Sequence, residues 1–231
     1  MSRPARVLTC LAALACAMSV AQSAGGSDQH AATLEAAFTP NAPGSAAAVD
    51  LHMTWADAGE PNAKPLQVHR LTLAFPAGTR IDTSAFTRCK ATDAQVKAKG
   101  PSACPRASRL ATGTSVATTG SSEIHADVVL INARRQIIVV VLVNKAVFAV
   151  YRDDVTRSTV TVNFALPAVV SLVDLRIHIP NHTSGRGSNR HIYFRTPATC
   201  PAGGAWAMTA TSLYADGSTL TAPAGVACTI T

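Results

Sequence analysis

Residues 124–150 constrain the fold more than any other part of the chain, and they read IHADVVLINARRQIIVVVLVNKAVFAV. Two β-branched runs are separated by a polar turn at residues 132–135, which is typical of a β-hairpin. The second run, residues 136–143, is apolar on both faces, as in a central strand that is covered on each side. Asn144 and Lys145 end this run well before it reaches the length of a membrane span.

Alternating apolar and polar residues predict further strands around this hairpin. The alternation is clear at residues 49–55 and again at residues 160–166. In residues 66–75 the inward-facing set slips by one position near His69 and Arg70, which predicts a β-bulge.

Two local signals complete the secondary structure. Asp216 and Gly217 predict a hairpin turn in the C-terminal unit, where we expect Trp206 and Tyr214 to pack near a disulfide. Residues 92–99, followed by Gly100 as a stop signal, predict one short helix.

These elements predict an all-β fold, a single β-sandwich of the jelly-roll or immunoglobulin-like kind, with one short helix and two disulfides. A chain of 231 residues is long enough for one such core. We expect a signal peptide over residues 1–24, a flexible segment over residues 25–32 and the sandwich over residues 33–231.

The N-terminal residues predict export. Arg3 and Arg6 precede an apolar run at residues 7–20, which gives way to small residues at 21–24. That run is short for a membrane span and no second one follows, so we expect no transmembrane anchor. A lipoprotein-like box at residues 13–16 has Ala where Leu or Val is usual, which disfavours lipid anchoring. The sequence therefore indicates a secreted, extracellular protein.

Charge gives little information on partners. Removing Arg3 and Arg6 lowers the formal net charge from +7 to +5. Because Lys and Arg look spread along the chain, a solvated basic surface is favoured over nucleic-acid binding.

The mature chain keeps four cysteines, Cys89, Cys104, Cys200 and Cys228. In an exported protein they predict two disulfides. Sequence alone leaves three pairings open, although locality favours Cys89 with Cys104 and Cys200 with Cys228. None of the spacings is of the C-x-x-C type, which disfavours a zinc site.

Two segments of the chain, about half of its mature length, resemble a pattern in uncharacterised secreted proteins of actinobacteria. The matching residues are Phe75-Pro76-Ala77-Gly78, Ile81-Asp82, Phe86, Cys89, Gly100, Ala103-Cys104-Pro105, Ser108, Thr112-Gly113-Thr114, Thr199-Cys200-Pro201, Gly204, Trp206, Tyr214-Ala215-Asp216-Gly217-Ser218 and Cys228. Leu110 departs from the pattern, which usually has Ile or Val there. The resemblance implies export, a β-sandwich and two local disulfides. The family carries no assigned activity, so no catalytic residue is transferred.

The most promising polar residues lie in a predicted hairpin formed by residues 173–179 and 191–195. If both outer faces are kept together, the natural register opposes His178 to His191, Arg176 to Tyr193 and Asp174 to Arg195. The candidate binding residues of this hairpin and its loop are Arg176, His178, His182, Arg186, Arg190, His191 and Tyr193.

Two functions fit such a hairpin. The favoured one is a secreted, non-catalytic structural or binding protein of the bacterial cell surface or exterior, without a cofactor, that contacts an anionic cell-envelope polymer or carbohydrate. The alternative is a metal-dependent enzyme in which His178, His182 and His191 hold zinc or copper. We expect the first, because no carboxylate is spaced to orient an imidazole.

Other catalytic patterns are weak. Ser115 lacks the last glycine of a nucleophile elbow and lies in a predicted strand. Asp153 and Asp154 are adjacent, so they would point apart in a strand, and we interpret them as a turn between Tyr151 and Thr156.

Overall fold

An antiparallel sheet of eleven strands makes up most of the structure, a computed structural model that describes residues 30–57 and 64–230. The predicted signal peptide and residues 25–29 of the predicted flexible segment lie outside the described residues, whereas residues 30–32 of that segment begin the first strand. Within those residues, no helix has the length and apolar character needed to cross a membrane.

The described residues form fifteen strands, one α-helix and three 3₁₀ helices. The strands are β1 (His30–Thr39), β2 (Ala48–Asp57), β3 (Val68–Ala74), β4 (Arg80–Ile81), β5 (Arg109–Thr118), β6 (Glu123–Asn132), β7 (Gln136–Val143), β8 (Ala146–Val155), β9 (Thr159–Asn163), β10 (Ser171–Ile179), β11 (Thr183–Ser184), β12 (His191–Ile192), β13 (Phe194–Arg195), β14 (Ala205–Tyr214) and β15 (Thr219–Ala227). The helices are α1 (Asp93–Lys99) and the 3₁₀ turns Gly100–Ala103, Arg106–Ser108 and Gly187–Asn189.

The large sheet coils on itself. Its strand order is β1-β2-β10-β5-β6-β7-β8-β9-β3-β14-β15, and the first and last strands lie side by side. The inner faces therefore meet in one interior, where the Trp55 indole N–H of β2 donates to Ser212 Oγ of β14 over 2.9 Å. This arrangement confirms the all-β sandwich with one short helix.

Strand β7 is central, as its sequence predicts. It is the sixth strand of the sheet, and residues 137–140 are all buried. Ile137 and Val139 belong to the main core, whereas Ile138 and Val140 pack in a second cluster on the opposite face. A strand apolar on both faces is stable here because both of its faces are covered.

The second cluster holds a lobe formed by residues 88–109. Helix α1 begins at a capping box in which Thr92 accepts from the Gln95 amide, and its Val96 is fully buried against the cluster. The predicted helix and its end at Gly100 are thus confirmed. The Cys89–Cys104 disulfide closes the lobe, with the two Cα atoms 5.0 Å apart.

Asn132, the last residue of β6, ties this lobe to the sheet. Its side-chain Nδ2 donates to the carbonyl oxygens of Thr83, Phe86 and Thr87 over 3.0–3.3 Å. Its main-chain carbonyl oxygen accepts from the Cys89 main-chain amide. Since Asn132 is fully buried, these bonds replace the water contacts that its side-chain N–H groups and the accepting carbonyls lose, although its Oδ1 accepts no hydrogen bond.

Two further sequence predictions are confirmed. The β-bulge lies at His69, because Arg70 pairs with Leu213 while Val68 pairs with Tyr214. Strands β14 and β15 form the terminal hairpin, next to the favoured Cys200–Cys228 disulfide.

One expectation for the terminal hairpin is wrong. Trp206 lies beside the disulfide, donating its indole N–H to the Thr199 carbonyl over 2.8 Å. Tyr214, however, ends the same strand eight residues later, which places it roughly 26 Å away at about 3.3 Å per residue. Its ring packs instead on His30, with centroids 4.5 Å apart.

Candidate functional site

The predicted hairpin between residues 173–179 and 191–195 is not formed. Strand β10 pairs with β2 on one side and with β5 on the other, so it has no free edge for residues 191–195. Those residues pair elsewhere, β12 with β11 and β13 with β4. The opposed pairs that we predicted are therefore wrong, because alternation indicates which face a residue occupies but not which strand lies next to it.

The seven candidate residues consequently lie in separate surroundings. Arg176 and His178 are exposed on the outer face of β10, while Arg186, Arg190 and His191 are exposed in and after the loop. The other two residues, His182 and Tyr193, lie further inward. His182 Nε2 lies 2.6 Å from the Leu110 carbonyl oxygen.

Tyr193 also departs from the prediction of an outward side chain. It is 1% exposed, and burial raises the pKa of its hydroxyl. Its ring packs edge-on against Phe86, with centroids 5.6 Å apart. Tyr193 is therefore a core residue.

The histidines do not form a common site. In the part of the chain that the structure describes, no group of three or more His, Cys, Asp or Glu residues is arranged to hold a metal ion. The expectation that no carboxylate orients an imidazole is nevertheless wrong, because Asp50 Oδ1 lies 2.6 Å from His178 Nδ1. A second histidine, His52, lies between Glu35 and Asp174, 3.2 and 2.7 Å from their carboxylate oxygens.

A long apolar cavity of about 120 Å³ runs through the interior of the coiled sheet. Side chains from eight strands, β2, β3 and β5 to β10, line it. Nearly all of them are Val, Ile, Leu, Ala, Phe or Met; among the described residues that line it, Asp153 is the one ionisable residue and Ser115 is the one other polar residue. An apolar pocket with very few polar groups is the usual form of a small-molecule site.

Part of the lining near the turn between β7 and β8 is accessible to solvent. Phe148, which lines the cavity, is 46% exposed, and Val143 and Ile124 are half-buried at the same end. Asp153 lies five residues further along β8, roughly 16 Å from Phe148 at about 3.3 Å per residue. The carboxylate therefore lies well away from this partly accessible end of the lining.

Asp153 is the most unusual residue of the cavity. It is 1% exposed, pairs across the sheet with Ile137, and neither of its carboxylate oxygens accepts a hydrogen bond of good geometry. Burial raises the pKa of this carboxyl from 3.8 to about 7; the Asn163 amide opposes the shift weakly and Asp154 adds to it. Buried carboxyl groups without a partner are rare, because removing the charge from water is costly.

Tyr151 adds a second polar group on the same face of β8. It is buried, its hydroxyl has no hydrogen-bond partner, and its ring packs edge-on against Phe164. Burial, with a further contribution from the charge of Asp153, raises the pKa of its hydroxyl to about 12. Two unpartnered polar groups thus lie close together in an apolar interior.

Our interpretation of Asp153 and Asp154 as a turn is wrong, since both lie in β8. The run at residues 146–155 contains a signal that could have shown this. Ala149, Tyr151, Asp153 and Val155 alternate along the strand and share its inner face, which is the pattern expected of a half-buried strand.

Among the described residues of the lining, Asp153 is the one ionisable group. Its carboxylate can accept hydrogen bonds from a cation, and its neutral acid form can donate one.

Comparisons with family models, with curated proteins and with solved structures gave no match.

Proposed function

We propose that the protein is an exported, non-catalytic binding protein whose interior cavity takes a small apolar amine. The observation that carries this proposal is the carboxylate of Asp153, which lies inside an otherwise apolar cavity and has the Asn163 main-chain amide as a neighbour but accepts no hydrogen bond of good geometry. An ammonium group supplies the missing charge and donates hydrogen bonds to both oxygens.

The dimensions of the cavity limit the ligand. An apolar cavity of about 150 Å³ holds one benzene molecule. The cavity here, about 120 Å³, therefore suits one small ring or a short alkyl chain. Its hydrocarbon part contacts the Val, Ile and Leu side chains of the lining, and the nitrogen reaches the Asp153 carboxylate.

Two disulfides fit an extracellular protein, because such bonds form and persist in oxidising compartments. Secretion by a signal peptide, location at the cell exterior and membership of the actinobacterial group are parts of the same proposal and rest on the sequence alone.

Calorimetric titration with butylamine, hexylamine and octylamine at pH 8 tests the proposal. We expect saturable binding of one amine per chain, with an optimum length in the series. Hexanol and hexanoate are the matched controls, because they keep the chain and replace the ammonium by a neutral or an anionic group. Below about pH 7 hexylamine affinity should fall about tenfold per pH unit, because a proton then occupies the carboxylate.

The variant Asp153→Asn keeps the shape of the side chain and removes its charge. We expect it to lose hexylamine binding, whereas Asp154→Asn, at the exposed neighbouring position, should bind like the wild type. Equal affinity for hexylamine, hexanol and hexanoate, or unchanged amine binding by Asp153→Asn, would show that the carboxylate does not select the ligand.

A further inference from the structure

The basic charge of the chain is concentrated in one place. Residues 88–109 contain six Lys and Arg but one acidic residue, Asp93, which gives a net charge of +5. The mature chain expected after residue 24 also has a net charge of +5, so its remaining residues are neutral as a whole. The expectation that Lys and Arg are spread along the chain is therefore wrong for these six residues, which are clustered.

Most of these cations are available to a partner, although Arg88 already donates to the carbonyl oxygens of Thr83 and Ser84. Lys90, Lys97, Lys99, Arg106 and Arg109 are exposed, and Arg88 is half-buried. None of the six forms an ion pair with a carboxylate of the described residues. The single acidic residue of the lobe is already engaged, because Arg152 outside the lobe donates its Nε–H to Asp93 over 2.5 Å.

The lobe holds these charges on a rigid support. The Cys89–Cys104 disulfide, the buried Val96 and the bonds from Asn132 fix its backbone to the outer face of the sheet. Arg152 adds a bond from its guanidinium to the Ala91 carbonyl over 2.7 Å. A preorganised cluster loses less conformational entropy on binding than a flexible basic tail does.

The surface between the charges is recessed. Arg88, Lys90 and Lys99 surround an open recess of about 560 Å³, together with the polar side chains of Gln95 and Ser102. A recess with three cations at its border suits a chain that carries several negative charges.

We propose that this lobe binds a linear polyanion whose charges are phosphate or carboxylate groups, such as an acidic polymer of the cell envelope. The proposal is independent of the interior cavity. It also places the polyanion-binding surface on the lobe and not at Arg186 and Arg190, which the sequence alone indicated as binding residues.

The composition of the lobe disfavours two other anionic partners. Residues 88–109 contain no aromatic residue, so they offer no platform on which nucleobases could stack. The large apolar side chains most exposed in the described residues, Phe148, Val169 and Ile230, all lie outside the lobe, so nothing in it would insert into a lipid surface.

Binding of the full chain to polyphosphate and to polyglutamate of matched charge, measured at several salt concentrations, tests the proposal. The lobe variant is Lys90→Gln, Lys97→Gln and Lys99→Gln. The control variant is Lys145→Gln, Arg186→Gln and Arg190→Gln, which removes the same charge from exposed positions elsewhere.

We expect the wild type to bind at least one of the two polymers, and their relative affinities to indicate which acid group is preferred. The lobe variant should bind at least tenfold more weakly at about 0.1 M salt, with a shallower salt dependence, and the control should change less than twofold. Equal losses in both variants would overturn the proposal, since they would show that only total charge matters.

Two further results would also overturn it. One is the absence of wild-type binding to either polymer at low salt. The other is tighter binding to single-stranded DNA, or to vesicles containing phosphatidylglycerol, than to either polymer at matched charge. Far-ultraviolet circular dichroism and the thermal midpoint of each variant establish that a loss of binding does not reflect unfolding.

Discussion

The free energy of unfolding should depend on pH in a way that the single substitution Asp153→Asn removes. The Asp153 carboxyl has a pKa of about 7 in the folded protein, against 3.8 for the ordinary group. Between these values the folded state binds a proton that the unfolded state has released, so stability falls as the pH rises. The stabilisation is fully present below about pH 4 and is lost above about pH 7.

The size of the effect follows from the same two values. Each pH unit between them corresponds to about 1.4 kcal/mol, so the difference from 3.8 to about 7 amounts to roughly 4 kcal/mol. This is a large fraction of the total stability of an ordinary domain, which is about 5–15 kcal/mol.

Urea unfolding at pH 4, 5, 6, 7 and 8 measures this effect. Other groups also titrate in this range, so the quantity of interest is the stability of the wild type minus that of Asp153→Asn at each pH. We expect this difference to fall by roughly 4 kcal/mol from pH 4 to pH 8. Asp154→Asn, at the exposed neighbouring position, should follow the wild type. A constant difference between wild type and Asp153→Asn would refute the argument that burial dominates this carboxyl.

Three substitutions test the packing around the two sites, each by its urea unfolding midpoint. Asn132→Ala should cost about 1–3 kcal/mol because one buried and two part-buried hydrogen bonds to the carbonyl oxygens of Thr83, Phe86 and Thr87 are lost; a loss below about 0.5 kcal/mol would contradict this role. Gly113→Ala should cost more than about 2 kcal/mol because its Cβ would lie 2.1 Å from the Arg176 carbonyl oxygen, whereas Gly203→Ala, with open space, should be near neutral. Thr92→Ala removes a helix cap and should cost about 1 kcal/mol.

Much of the fold could be predicted because its signals are local. Residues 137–140 are apolar on both faces, and the strand they form is indeed covered on both. The slipped alternation at His69 and Arg70 identifies the bulge, and the stop signal at Gly100 identifies the end of the helix. Each of these features depends on a few neighbouring residues, which a periodic pattern records directly.

The candidate site could not be predicted in the same way. The neighbour of β10 is β2, which lies more than a hundred residues earlier in the chain, and alternation carries no information on such pairings. The alternation in β8 could have predicted that Asp153 faces inward. Its lack of a hydrogen bond of good geometry could not be predicted, because it depends on strands from several parts of the sheet. The concentration of charge in residues 88–109, in contrast, needed only a local count of charged residues.

The most direct test of the account is an NMR titration that follows the side-chain carboxyl carbon of Asp153 with and without hexylamine. We predict a pKa of about 7 for the free protein, and a pKa below that value at saturating hexylamine because the ammonium stabilises the carboxylate. A pKa near 4 in the free protein, unchanged by the amine, would contradict both the unpartnered carboxylate and the amine site built on it.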